Sequence, residues 1–313
     1  MAWSGLWVWE RGKVLAGMDA AKARSVGYQV GWSRRAVSGF PFRLDVDMTD
    51  ARLSEETGWA VRAPVLKAEA FVFAPTHWVA FAPSGVVLSR PRGGPVTVRA
   101  SALRASLSDA SGHPPRLSVE GLDLKFETHA GAGPFLLSDA KAFHFHAKSG
   151  PSDQGGAYIE FDRALARGTG GLAALADGRP FTLIADLIYS HAAAVGGRNA
   201  GAALRAWSAT GGGVTVRRLY LQAGHLVLEA RAGALAAGPD GRLRGSLMLS
   251  VRDAPRVLAV LGATGVVPSD AVRAAAMVLG ANQADGAARI ALDFQAGRTT
   301  LGPVALGPAP RAF

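Results

Sequence analysis

His144 and His146 alternate with Phe143 and Phe145, so on an extended strand both imidazoles share one face and both phenyl rings the other. His129 lies nearby in sequence. Two imidazoles at that spacing can ligate zinc, but a catalytic centre needs a third protein ligand and an open position. The pair reads instead as the wet side of a strand that packs through its phenylalanines, and neither a metal nor a cofactor is expected. Asp45 and Asp47 share a face opposite Leu44, Val46 and Met48, with Asp50 close behind. A carboxylate pair can act as acid and base or hold a divalent cation, and a hydrolase would rest on that pair alone. The expected role is again the solvated face of a half-buried strand.

Other chemistries lack their residues. With no Cys in 313 residues, disulfides, thiol nucleophiles and thiolate metal sites are excluded. Ser38 precedes Gly39 but has Ala36 two positions before it, so it is not a nucleophile elbow, and no phosphate-binding Gly-x-x-x-x-Gly-Lys loop occurs. The glycines at 168–171 and 211–213 lack the strand-to-helix setting of a dinucleotide site. A non-enzymatic protein is expected.

The elements that would position these residues are mostly strands. Period-two alternation cut by Gly and Pro predicts strands at 28–32, 42–48, 61–74, 78–82 and 96–107, continuing through Leu117, Val119, Leu122, Leu124 and Phe126 to Phe143 and Phe145. The alternation slips phase at Pro64, between Ala102 and Leu103, and at Gly121, which predicts bulges. Residues 151–213 turn Gly- and Ala-rich, with helical spacing at 161–175 and 200–207 and Asn199 as an N-cap. Strands return at 214–221, 226–232, 243–251, 288–294 and 300–306. Helices open at Asp253, with Pro255 in the first turn, and at Ser269-Asp270, the latter stopping at Gly280. The fold expected is mainly β with a few helices, an α+β arrangement of long antiparallel, curved sheet rolled into a groove or half-barrel with helices capping it. Its parts are a stub and helix (1–27), an N-terminal sheet (28–150), a Gly/Ala-rich helical connection (151–213) and a C-terminal sheet with a helix pair (214–313).

The chain is 49% hydrophobic and carries a formal charge of +10, a field that favours anionic partners such as a membrane surface. Its basic residues are dispersed, so nucleic acid is not an expected partner. At the N-terminus Trp3, Trp7 and Trp9 sit among apolar residues and run straight into Glu10-Arg11-Gly12-Lys13, the texture of the interfacial end of a membrane helix. The stub is too short to span a bilayer. One expectation is that an anchor preceded it, with Met1 and Ala2 standing as a new start, and that 10–25 form a juxtamembrane helix. The other is an ordinary amphipathic first helix.

Gly27-Tyr28-Gln29-Val30, the run from Val37 through Ser38-Gly39-Phe40-Pro41-Phe42-Arg43 to Leu44, then Trp59 and Ala63-Pro64, resemble an uncharacterised alphaproteobacterial family of membrane-anchored periplasmic proteins marked by an SGFPFR stretch. Trp207, Gly213, Leu219–Leu221, Asp240-Gly241, Gly245 and Leu301-Gly302-Pro303 extend the likeness to the C-terminal part. The resemblance implies a periplasmic location, with attachment to the inner membrane by an N-terminal helix missing from this sequence. The layout is similar, more distantly, to AsmA-like β-rich lipid carriers. On this basis the expected function is lipid binding or transport in an apolar β-groove. Its expected lining is Phe40, Phe42, Phe71, Phe73, Trp78, Leu226, Leu228, Leu247, Leu249, Ile290, Leu292 and Phe294. Lipid or another amphipathic ligand, the membrane surface and envelope transport proteins are the partners implied. The alternative is a periplasmic scaffold with a filled core that binds an envelope protein.

Overall fold

Alternating apolar and polar residues make half-buried strands, and short turns bring each strand back beside its predecessor. The computed structural model describes residues 2–23, 27–168, 170–265, 267–284 and 286–313. After helix α1 (Ala2–Ala23), strands β1 (Tyr28–Gly31) and β2 (Arg34–Ser38) lie end to end along β3 (Arg43–Glu55), which pairs with β4 (Ala60–Phe71). Next, β5 (Ala74–Phe81) and β6 (Val86–Arg90) share one lane, and β7 (Gly94–Arg99) and β8 (Ala102–Ser108) share another. The following strands are β9 (Arg116–Thr128), β10 (Leu137–Ser149), β11 (Gln154–Ala166), β12 (Phe181–Ser190) and β13 (Gly213–Ala223), each beside the one before. A split lane of β14 (Leu226–Ala230) and β15 (Gly233–Ala237) leads to β16 (Leu243–Arg252). The two-residue β17 (Gln283–Ala284) flanks β18 (Ala287–Gln295), which joins β16, and β19 (Arg298–Leu301) and β20 (Val304–Pro308) close the ladder. Every pairing is antiparallel, so the expected mainly β fold with few helices holds.

The remaining helices are α2 (Gly171–Ala176), α3 (Ala200–Ala209), α4 (Ala254–Ala263) and α5 (Ser269–Ala281). The cap expected at Asn199 is present, its side chain accepting from the Ala202 N–H at 2.9 Å. Asp253 and Pro255 open α4, and α5 starts at Ser269, both as the sequence predicts.

Two expectations need correction. Residues 151–213 are not a helical connection, because β11 and β12 run through them and continue the ladder. Strand β12 hides from a period-two reading because Ile184 and Ile188 stand among Thr182, Asp186 and Ser190 on the face opposite Leu183 and Leu187, so the apolar pairs Leu183-Ile184 and Leu187-Ile188 interrupt the alternation. The Trp-rich stub is not separate from the first helix; it forms the first turns of α1. The expected helix end at Ser25, like Met1, lies outside the described residues. No described helix is long and apolar enough to cross a membrane.

The phase slips are places where the inward face moves by one residue. Pro64 lies opposite Asp50, whose φ is +52°, and inward burial passes from Leu44 and Val46 to Ala51 on β3 and from Ala70 to Ala63 on β4. The slip read between Ala102 and Leu103 is the break between β7 and β8, which splits the strand expected at 96–107. The one read at Gly121 falls at Asp123, with φ +49°, where the carboxylate accepts from Ser101 and Lys141. At Asp50 and Asp123 a single residue in the left-handed region changes which side of the strand faces inward while the pairing register runs on unbroken, so the bulges expected at Pro64 and Gly121 are not present.

Candidate functional site

Register carries one inner face across the whole sheet. Val46, Ala68 and Ala80 lie side by side on β3, β4 and β5, and Ala105, Val119, Phe145, Ile159 and Ala185 continue the row through β8 to β12. Leu219, Ala230, Leu249 and Ile290 complete it to β18. A parallel row runs Phe143, Phe161, Leu183, Leu221, Leu228 and Val251.

This face is covered differently along its length. At the C-terminal end Leu226, Leu247, Leu249, Ile290 and Phe294 are buried in one cluster with Val257 and Leu258 of α4 and Ala275 and Leu279 of α5, and Leu228 and Leu292 pack against it. These seven expected groove residues are thus brought together, but as a filled core, because the two helices occupy the space a ligand would need. At the N-terminal end Leu6, Trp7, Val14, Leu15 and Met18 of α1 pack on Val37, Leu44, Val46 and Val72. Between these covers Val119, Phe145 and Ile159 are only half-buried and belong to no buried cluster.

Helix α1 does not close over its end completely. A groove of about 510 Å³ opens along one flank, with Val14, Gly17, Met18 and Ala21 as its roof and Val46, Met48, Ala68 and Trp78 among its floor residues. That size falls within the roughly 300–1,000 Å³ typical of small-molecule sites. Glu10, buried at 6% exposure, and Lys13 form a 3.3 Å ion pair at its mouth. From the β5 lane to β12 the inner row extends about 24 Å, at about 4.8 Å per strand, more than the ~15 Å spanned by the acyl chains of one leaflet.

The helix is held by specific bonds. Trp3 Nε1 donates to Pro41 O at 2.9 Å and Trp7 Nε1 to Arg43 O at 2.7 Å. Further along, Arg35 donates to Asp19 at 2.8 Å, and that hydrogen bond holds the Asp19 carboxyl below its ordinary range.

The aromatic residues expected to line the groove do otherwise, Trp78 excepted. Phe40 packs edge-on against Trp7, Phe42 leans on Trp3, and Phe71 stacks on Phe73 at 5.0 Å. All four phenylalanines are more than half exposed. The turn holding Phe40 and Phe42 is tied to Phe71 and Phe73 by the Val72 N–H to Phe42 O bond at 3.0 Å. They form an outward aromatic rim beside the start of α1, because turns at a sheet's end have no facing layer to cover them. Sequence reasoning missed Val14, Gly17, Met18, Ile159 and the middle of the inner row. Phe145 and Val119 were visible as alternating residues, but nothing local marks them as uncovered.

The opposite face of the sheet is polar. Asp45 accepts from Arg43 at 3.0 Å, Arg43 also reaches Glu69 at 3.3 Å, Asp47 lies 3.9 Å from Lys67 and Asp50 pairs with Arg62, which places the acidic pair in an ion-pair face, with Asp45 Oδ1 buried and without a hydrogen-bond partner among the described residues. On the central strands Tyr158 donates to Glu160 at 2.7 Å, and burial together with Glu160 pushes the phenol up to about 12. His144 and His146 share this face, opposite Phe143 and Phe145.

Fold and site together define the class, an antiparallel β-sheet protein whose continuous apolar inner face is covered by helices at both ends and left partly open between them. Within it the chain belongs to the family described as "Uncharacterized protein conserved in bacteria (DUF2125)", which matches residues 7–310. No curated protein and no solved structure matches, so the comparisons lend the AsmA-like likeness no support.

Proposed function

We propose that this is a non-enzymatic lipid-binding protein of the cell envelope, lying at the periplasmic face of the inner membrane and using the inner face of its sheet to hold and pass an acyl chain. The observation that carries the reading is the groove under α1, which leads by strand register into the half-buried row of Val119, Phe145 and Ile159. Each methylene removed from water there contributes about 0.8 kcal/mol. The exposed phenylalanine rim and the adjoining Trp3 and Trp9 of α1 support contact with a membrane surface, since Trp rings favour the interface, and the net charge of +10 adds attraction to anionic head groups.

Native mass spectrometry with lipid extraction tests it, on protein purified from its own membranes without added detergent. A stoichiometric lipid, lost in Phe145→Asp and Ile159→Asn variants that keep the wild-type circular dichroism, is the expected result. A lipid-free protein that takes up no phospholipid from vesicles would overturn it. The scaffold alternative is favoured by one feature, the outer edge of β1 and β2, which pairs with no strand among the described residues and offers a template for strand addition. Crosslinking to an envelope protein through that edge, with no lipid recovered, would select it.

A further inference from the structure

His144 and His146 gain a partner from outside their own strand. Antiparallel register sets Glu120 of β9 directly opposite His144 and Ser118 opposite His146. One carboxylate oxygen and one nitrogen from each ring then lie within 4.8 Å of one another, all three residues being half-buried. In a tetrahedral zinc site the ligand atoms stand about 3.3 Å apart, from bonds of about 2.0 Å. Side-chain rotations of about an ångström close the difference, with no movement of the sheet.

The surroundings orient each donor. His146 Nδ1 lies 2.9 Å from Ser118 Oγ, which fixes the ring and leaves Nε2 for an ion, the usual outer-shell arrangement of a metal-binding histidine. Arg104 donates to Glu120 Oε2 through Nε, at 2.7 Å, and through a second guanidinium nitrogen, so that oxygen is held, while Oε1 accepts no hydrogen bond among the described residues. The two imidazoles lie near parallel, 6.2 Å between centroids and 19° between planes, and the His146 ring stacks on Tyr158 at 6.0 Å. On the far side Glu160 of β11 stands opposite His144, adding negative charge that offsets Arg104.

We propose that Glu120, His144 and His146 form a binding site for one divalent ion of the zinc class, independent of the apolar inner face. Two imidazoles and one carboxylate suit zinc, and also copper or nickel, better than magnesium or calcium, which favour all-oxygen shells. Three protein ligands leave a coordination position on the outer face of the sheet for water or an anionic group. The site sits on the interiors of β9 and β10, whose opposite sides are Gly121, Phe143 and Phe145, so its geometry is set by the sheet rather than by a loop.

The test is isothermal titration of untagged, EDTA-stripped full-length protein with zinc chloride, joined by cobalt(II) absorption spectroscopy. One zinc per chain is expected, with affinity at least tenfold weaker in each of Glu120→Gln, His144→Gln and His146→Gln and unchanged in His129→Gln, whose ring meets Thr97 instead. Cobalt should give the visible bands of a four- or five-coordinate ion. A stoichiometry of zero, a His129→Gln variant as weak as His146→Gln, or the spectrum of the octahedral aqua ion would each overturn the proposal. The cobalt spectrum of the wild-type protein decides even if a variant fails to fold.

Discussion

Gly17 faces the groove from the roof, and a β-carbon added there meets nothing within 4 Å. Replacing it with Leu therefore acts on stability and on binding with opposite signs. Within a helix the exchange gains roughly 0.6–0.8 kcal/mol in propensity. Unfolding entropy near 2.1 cal/mol/K per residue over 313 residues is about 0.66 kcal/mol/K, so Tm rises by about 1 °C. The four new side-chain carbons occupy the room of about four ligand methylenes, and at about 0.8 kcal/mol each the acyl chain loses about 3 kcal/mol, or roughly 200-fold in affinity. Trp32 and Trp78 line the same groove, so quenching of intrinsic fluorescence by a brominated fatty acid reads occupancy directly. A Gly17→Leu protein with raised or unchanged Tm and wild-type quenching would refute the assignment of the groove. A clear fall in Tm would refute the claim that Gly17 borders open space.

Three further outcomes follow from named contacts. Trp7→Phe keeps the ring packing but removes the bond to Arg43 O, and urea denaturation should show a loss of about 0.5–1.5 kcal/mol; no change would mean that bond does not hold α1. Gly245→Ala places a β-carbon 2.0 Å from Ala234 O at a φ of +120°, so β15 and β16 must part, with an expected loss of about 2–4 kcal/mol by the same measurement. Asp19 has its carboxyl lowered by Arg35, so its contribution to docking α1 is present above the unfolded carboxyl value, near 3.9, and is lost as pH falls through the lower folded one. Protection of the α1 amides against hydrogen exchange, taken relative to the intrinsic rate at each pH, should fall in acid, and Asp19→Asn should reproduce that fall at neutral pH; unchanged protection in acid would contradict it.

What the sequence determined by itself is local. Alternation over five to eight residues is enough to recognise β3, β9 or β16, since a half-buried strand needs nothing else. Asn199 marks a helix start because a side-chain cap acts within one turn, Pro255 marks another because its fixed φ suits a first turn, and Pro64 signalled its break because a missing N–H is a property of the residue. Tertiary structure decided everything that depends on which strand lies beside which. Glu120 comes 24 positions before His144, and only antiparallel register makes them neighbours, so a metal-ligand set was invisible where the histidine pair alone was plain. Alternation likewise showed that Leu249 and Phe145 each have a buried side, while the packing of α4 and α5 decided that one lies in a filled core and the other on an open row. Burial belongs to whatever layer arrives from elsewhere in the chain, and a strand's own residues carry no record of it.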